Sequence, residues 1–120
     1  MSDFRVRFVA NDDSARARGL MHSSPLAEDE VAFFVFPHIE RHAFWNRNVS
    51  FAIDLAFADE YGRIVDFAVL EPHQELSVRP ESASRFVVEA PKGTFGRVGA
   101  SKGDLVVCDG KTLKVIRASQ

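Results

Sequence analysis

Two carboxylates stand on segments whose other residues are mostly apolar. Asp54 lies in Ile53-Asp-Leu-Ala-Phe57, Glu89 lies in Arg85-Phe-Val-Val-Glu-Ala90, and the single tryptophan is Trp45. A carboxylate among apolar neighbours is partly desolvated, so it needs a donor, a cation or its own proton. On a strand Asp54 shares a face with Ala52 and Ala56, and its expected partner is Arg18 or a backbone N–H. Two such groups beside an indole have the make-up of an acid/base pair in a sugar-binding cleft. They equally have the make-up of a buried ion pair and an aromatic plug that fix the fold, and that structural reading has the better claim.

The remaining reactive side chains fit no catalytic pattern. His38 and His42 flank a proline-led turn and an aromatic segment, with no third ligand at a metal-binding spacing, so no metal is expected. Cys108, in Leu-Val-Val-Cys-Asp, alternates like a packing residue and lacks a histidine at a fixed spacing to activate it. Gly99-Ala-Ser-Lys-Gly-Asp104 carries glycines and a lysine without the ending of a phosphate loop, and it reads as a turn into a strand. Asn48-Val-Ser50 is a formal glycosylation acceptor that has meaning only in a secreted chain. Ser24, Ser82 and Ser101 sit in no nucleophile elbow. No catalytic residue and no cofactor is expected.

The elements that must position these residues are mainly strands. Phe4, Val6 and Phe8 alternate with Arg5 and Arg7, the period of a half-buried strand. Asp12, Asp13 and Ser14 offer N-caps to a short helix with its body at 15–18 and its end near Gly19. The apolar run 31–36, closed by Pro37, has the form of a strand buried on both faces, and a second aromatic strand is expected over 42–47. Segments 53–58 and 63–70 read as a hairpin with Gly62 supplying the positive φ of its turn. Residues 71–83 form a polar loop with Pro72 and Pro80, a place to look for contacts. Residues 85–90 are another strand and 93–99 a turn or single helical turn. Segments 105–109 and 113–117 pair around Gly110, so both ends of the chain are expected in the sheet. The fold class is mainly β (α+β): a single compact small β-barrel or sandwich of about seven or eight short strands, with one short helix near the N-terminus, not βαβ units.

Composition bounds the rest. A chain of 120 residues is expected to be one domain, 1–120, and 46% hydrophobic with 27% charged residues is ordinary for a folded one. Fifteen basic against seventeen acidic residues leave a net charge of −2 and no surplus for phosphates, so nucleic acid is not an expected partner. One cysteine allows no internal disulfide. No leader-like start and no membrane-length apolar run are present, so a cytoplasmic chain, or one built into a particle assembled there, is expected. Eleven phenylalanines point to a Phe-rich core, with a surface for a protein partner as the other reading.

Four segments together resemble the DUF192 family, also called UPF0127. They are Ala17-Arg-Gly-Leu-Met21; Phe34-Val-Phe36 with Phe44-Trp-Asn-Arg-Asn48; Ile53-Asp-Leu-Ala-Phe57 followed by Gly62; and Arg85-Phe-Val-Val-Glu-Ala90 followed by Gly99-Ala-Ser-Lys-Gly-Asp104. They keep the family's order and run from about residue 14 to residue 107. The resemblance implies a compact β-rich α+β domain and supplies no activity. Asn46 stands where the family usually has methionine, Arg47 where it has lysine, Val49 where it has threonine and Ala52 where it has proline, so a pocket there is expected to differ. Family members are commonly exported, a context that transfers poorly to this chain.

Matching the family motifs to the residues gives one candidate polar cluster, Arg18, Trp45, Asn48, Asp54 and Glu89. The expected function is a non-enzymatic structural or protein-binding domain. Its setting would be a larger assembly such as a phage or phage-like particle, with protein partners or self-association and no membrane. The alternative is a small-molecule or carbohydrate-binding domain, hydrolytic in one version, with a cleft around Trp45, Asp54 and Glu89.

Overall fold

The computed structural model describes residues 2–118. Its elements are β1 (Ser2–Ala10), α1 (Asp13–Arg18), β2 (Glu30–Glu40), β3 (Ile53–Ala58), β4 (Ile64–Leu70), β5 (Ser84–Pro91), α2 (Thr94–Arg97), β6 (Leu105–Cys108) and β7 (Thr112–Ile116). All seven strands form one sheet in the order β4-β3-β5-β2-β1-β7-β6. The sheet curls into a half-barrel, and its two edge strands meet at one corner. There the Ile64 N–H donates to the Asp104 carbonyl, the Gly103 N–H to the Ile64 carbonyl and the Val106 N–H to the Gly62 carbonyl, each at 2.8 Å. The fold is therefore mainly β, with the expected helix at 13–18 and a second, four-residue helix in the 93–99 turn. Among the described residues no helix is long and apolar enough to cross a membrane.

Strand alternation divides the apolar residues between two cores. One gathers Phe4, Val31, Phe33, Ala56, Ile64, Val88, Phe95 and Leu113; the other gathers Leu20, Phe34, Val49, Ile53, Leu55, Phe57, Leu70 and Val87. None of the eleven phenylalanines is exposed, so the aromatic surplus builds the core. Edge-to-face contacts of Phe44 with Phe34 (5.4 Å) and Phe57 (5.9 Å) seat a loop on the second core.

The structure differs from the sequence reading in three places. Simple alternation puts Phe4, Val6 and Phe8 on one face, but the register of β1 against β2 shifts between Val6 and Phe8. That bulge leaves Phe4 and Val6 on the first core and turns Phe8 to the second. Next, β1 and β2 pair in parallel, with α1 in the connection between them. Finally, residues 42–47 are not a strand. Phe44 makes one isolated bridge with Val78, and the rest of the segment pairs with no strand.

The hairpin between β3 and β4 turns as expected at Gly62, whose φ is +85°. Asp59 organises it, accepting from the Tyr61 and Arg63 N–H groups. A Cβ on Gly62 would lie 2.8 Å from the Val106 carbonyl oxygen, beside the corner that joins the sheet edges. Gly62→Ala therefore combines a left-handed backbone with a backbone clash and is expected to cost about 2 kcal/mol or more. Urea unfolding measures this, and a loss below about 0.5 kcal/mol would contradict the close approach.

Candidate functional site

Strand β5 is hydrogen-bonded on both edges, Glu89 lying opposite Ala32 of β2 and Leu55 of β3. Both neighbours are fully buried, so the Glu89 carboxyl rises from the middle of the sheet into the second core. The residue is 4% exposed and makes no hydrogen bond or ion pair among the described residues. Desolvation alone pushes its pKa up from the ordinary 4.5 to about 8, so the carboxyl is protonated at neutral pH.

Above Glu89 is a cavity of about 270 Å³ between the α1 end of the chain and the loop 43–49. Arg18, Trp45 and Glu89 all line it, as do Asn46, Arg47 and Met21. Trp45 is 41% exposed at its mouth and lies under the Arg47 guanidinium, 5.5 Å from the ring centroid. Asn46 is fully buried. Its Nδ2 donates to the Phe51 carbonyl and the Glu71 carbonyl, both at 2.9 Å, and its backbone N–H donates to the Gln74 carbonyl. These bonds lock the loop 43–51, which lines the cavity, onto the loop 71–76, which does not. With both amide hydrogens committed, Oδ1 is fixed as an acceptor, and it has no partner among the described residues.

The other two candidates lie elsewhere. Asp54 sits opposite Ala90 and shares its face with Ala56 and Ala58, so it points into the first core, away from Glu89. Its Oδ2 accepts from the Gly93 N–H (3.0 Å) and the Phe95 N–H (3.3 Å). Of the two partners the sequence suggested, the backbone donor is the one present. Asp54 caps α2 from a neighbouring strand, where the N-cap residue Gly93 has no side chain to do so. Asn48 is exposed with a left-handed φ of +58°, and its carbonyl accepts from the His22 N–H at 2.9 Å, tying the loop to the segment after α1. His42 stacks on Phe36 with ring centroids 3.6 Å apart, and its Nε2 donates to the His38 carbonyl.

The cluster read from sequence thus divides. Arg18, Trp45 and Glu89 share one pocket, Asn48 shapes a turn beside it, and Asp54 serves a different face. The residue missing from that cluster is Asn46. Its signal was the polar side chain standing where the family pattern has methionine.

The family model DUF192, described as uncharacterized ACR, COG1430, matches residues 2–108. A crystal structure of a protein of unknown function from Novosphingobium aromaticivorans DSM 12444 superposes with a TM-score of 0.82 at 26% identity, covering 88% of this chain and 75% of that one. A second, from Sinorhizobium meliloti 1021 and described as a candidate transcription regulator, gives a TM-score of 0.77 at 27% identity, covering 92% of this chain and 80% of that one. No curated protein matches.

Two substitutions test the two carboxylates. Between the ordinary value of 4.5 and about 8 the folded chain holds a proton at Glu89 that the unfolded chain has released. Raising the pH through that window therefore removes stability, at up to about 1.4 kcal/mol per unit, and none is lost above it. Glu89→Gln lacks this slope, so its stability relative to the parent is expected to rise steadily across the window; a flat difference would mean a solvated or paired carboxyl. Asp54→Ala leaves two N–H groups unpaired and is expected to cost about 1–2 kcal/mol, whereas Asp54→Asn keeps an acceptor and most of that stability. Equal losses in the two variants, measured by urea unfolding, would show that Asp54 is not acting as a cap.

Proposed function

This chain belongs to the DUF192 family, and from the pocket its sheet and loops enclose we propose that it is a small-molecule-binding domain. One observation carries the reading: the Glu89 carboxyl, buried and with no partner among the described residues, lines this cavity. Burying a polar group without a partner costs about 1–3 kcal/mol, so a native fold keeps such groups where something else pairs with them. Trp45 at the mouth offers a flat apolar face. A cavity of about 270 Å³ suits a metabolite-sized molecule, since drug-sized sites begin at roughly 300 Å³.

The activity is binding, not hydrolysis. A glycosidase needs two carboxylates facing one bond from a common cleft, and Asp54 and Glu89 lie on opposite faces of the sheet. The rival reading, a component of a larger assembly, leaned on the aromatic surplus. With every phenylalanine at least half-buried, that surplus supports packing more than a partner surface.

Trp45 is the only tryptophan, so its emission reports on the pocket alone. Titration with mixtures of small polar metabolites is expected to quench or shift that emission saturably, and Glu89→Leu is expected to abolish the response while the variant stays folded by circular dichroism. If no mixture changes the emission of folded protein at millimolar concentrations, the binding reading fails.

A further inference from the structure

The charges around this pocket are arranged by depth. Arg16, Arg18 and Arg47 stand around its lining, and no acidic side chain joins them except Glu89 on the floor. Arg16 is already engaged, donating to Asp13 Oδ1 and to the Val35 carbonyl, both at 2.7 Å. Arg47 rests on Trp45. Arg18 is exposed and makes no ion pair among the described residues. The mouth is therefore cationic with an unengaged guanidinium, and the floor presents a carboxyl that calls for a hydroxyl partner.

We propose that the pocket takes a small hydroxylated organic anion. Its hydroxyl-bearing end would pair with Glu89, its apolar face would lie against Trp45, and its charged group would meet Arg18 at the mouth. This inference rests on the reading of the pocket as a ligand site and adds the class of ligand. An amine is disfavoured, because it has to pass the guanidinium groups and ionise a carboxyl held in a low dielectric. A wholly apolar ligand is disfavoured as well, because it leaves the Glu89 carboxyl unpaired. A guanidinium forks equally well onto a carboxylate or a phosphate, so the anionic group is defined by charge and both forms belong in the test.

The test is a titration of the Trp45 emission of the full chain at low salt with gluconate, glucose 6-phosphate, glucose and glucosamine. At least one of the two anions is expected to saturate at millimolar concentration or below, about tenfold or more tighter than glucose, with glucosamine inert. Comparison of gluconate with glucose 6-phosphate assigns the anionic group. Arg18→Ala, on an exposed helix face, is expected to keep the fold and reduce the anion to the affinity of glucose. Glucose or glucosamine binding as tightly as the anions overturns the inference, and so does an unchanged anion affinity in Arg18→Ala. If neither anion alters the emission while other metabolites do, the ligand-site reading survives and this inference falls; if nothing alters it, both fall.

Discussion

The placement of β5 between β2 and β3 decides where the buried carboxyl groups of Asp54 and Glu89 end. A strand paired on both edges has no lateral route to water, so each of its side chains must end in one core or the other. Val87 enters one side and Val88 the other, and Glu89 takes the side of Val87. The pairing of Leu55 with Glu89 and of Asp54 with Ala90 then sends the two carboxylates to opposite faces. No loop movement can reunite them, because a one-residue slip would exchange every side chain of β3 between the two cores.

Similar carboxyl groups therefore meet different fates for reasons of local supply. Asp54 arrives beside the start of α2, where backbone N–H groups lack helical partners, and each offsets the other's desolvation. Glu89 arrives among Ala32, Leu55 and Val87, which offer nothing, and it keeps its proton. Backbone donors serve other aspartates as they serve Asp54, and two of them show it in their acidity. Asp104 is held below its ordinary range by the Ala118 and Ser101 N–H groups, and Asp109 by those of Thr112 and Lys111. Glu89 has no such supply, and the cavity above it is what distinguishes its position from an error of packing.

Much of the architecture was legible in the chain because it rests on short-range rules. Alternation in 53–58, the apolar run at 31–36 and the Gly62 turn each report a local constraint, and each became a strand or a turn. The bulge in β1 was not legible, since it depends on a register set against β2. Residues 42–47 mislead for a similar reason: aromatic residues suit a strand, but a strand also needs another to pair with. For the site, the apolar surroundings of Asp54 and Glu89 correctly marked both as desolvated. Which face each would take depends on the phase of pairing between two strands more than thirty residues apart, and no local pattern encodes that.

Asn46 carries the same lesson into the pocket. Its side chain holds no charge and belongs to no catalytic pattern, yet the residue joins two loops through three donated hydrogen bonds and buries its remaining acceptor. A methionine at this position would fill space and leave the Phe51 and Glu71 carbonyls without those bonds, so the loops would need another way to meet. Asn46 thus fixes the loop that carries Trp45 and Arg47. Glu89 is held by the sheet and Asn46 by the loops it ties, so the floor of the cavity and the loop beside it are both fixed. Arg18 and Arg47, both exposed, keep the freedom to adjust at the mouth. On the proposed reading a ligand would meet hydrogen bonding at depth and charge at the entrance, and the ordering entropy of binding would fall on the entrance.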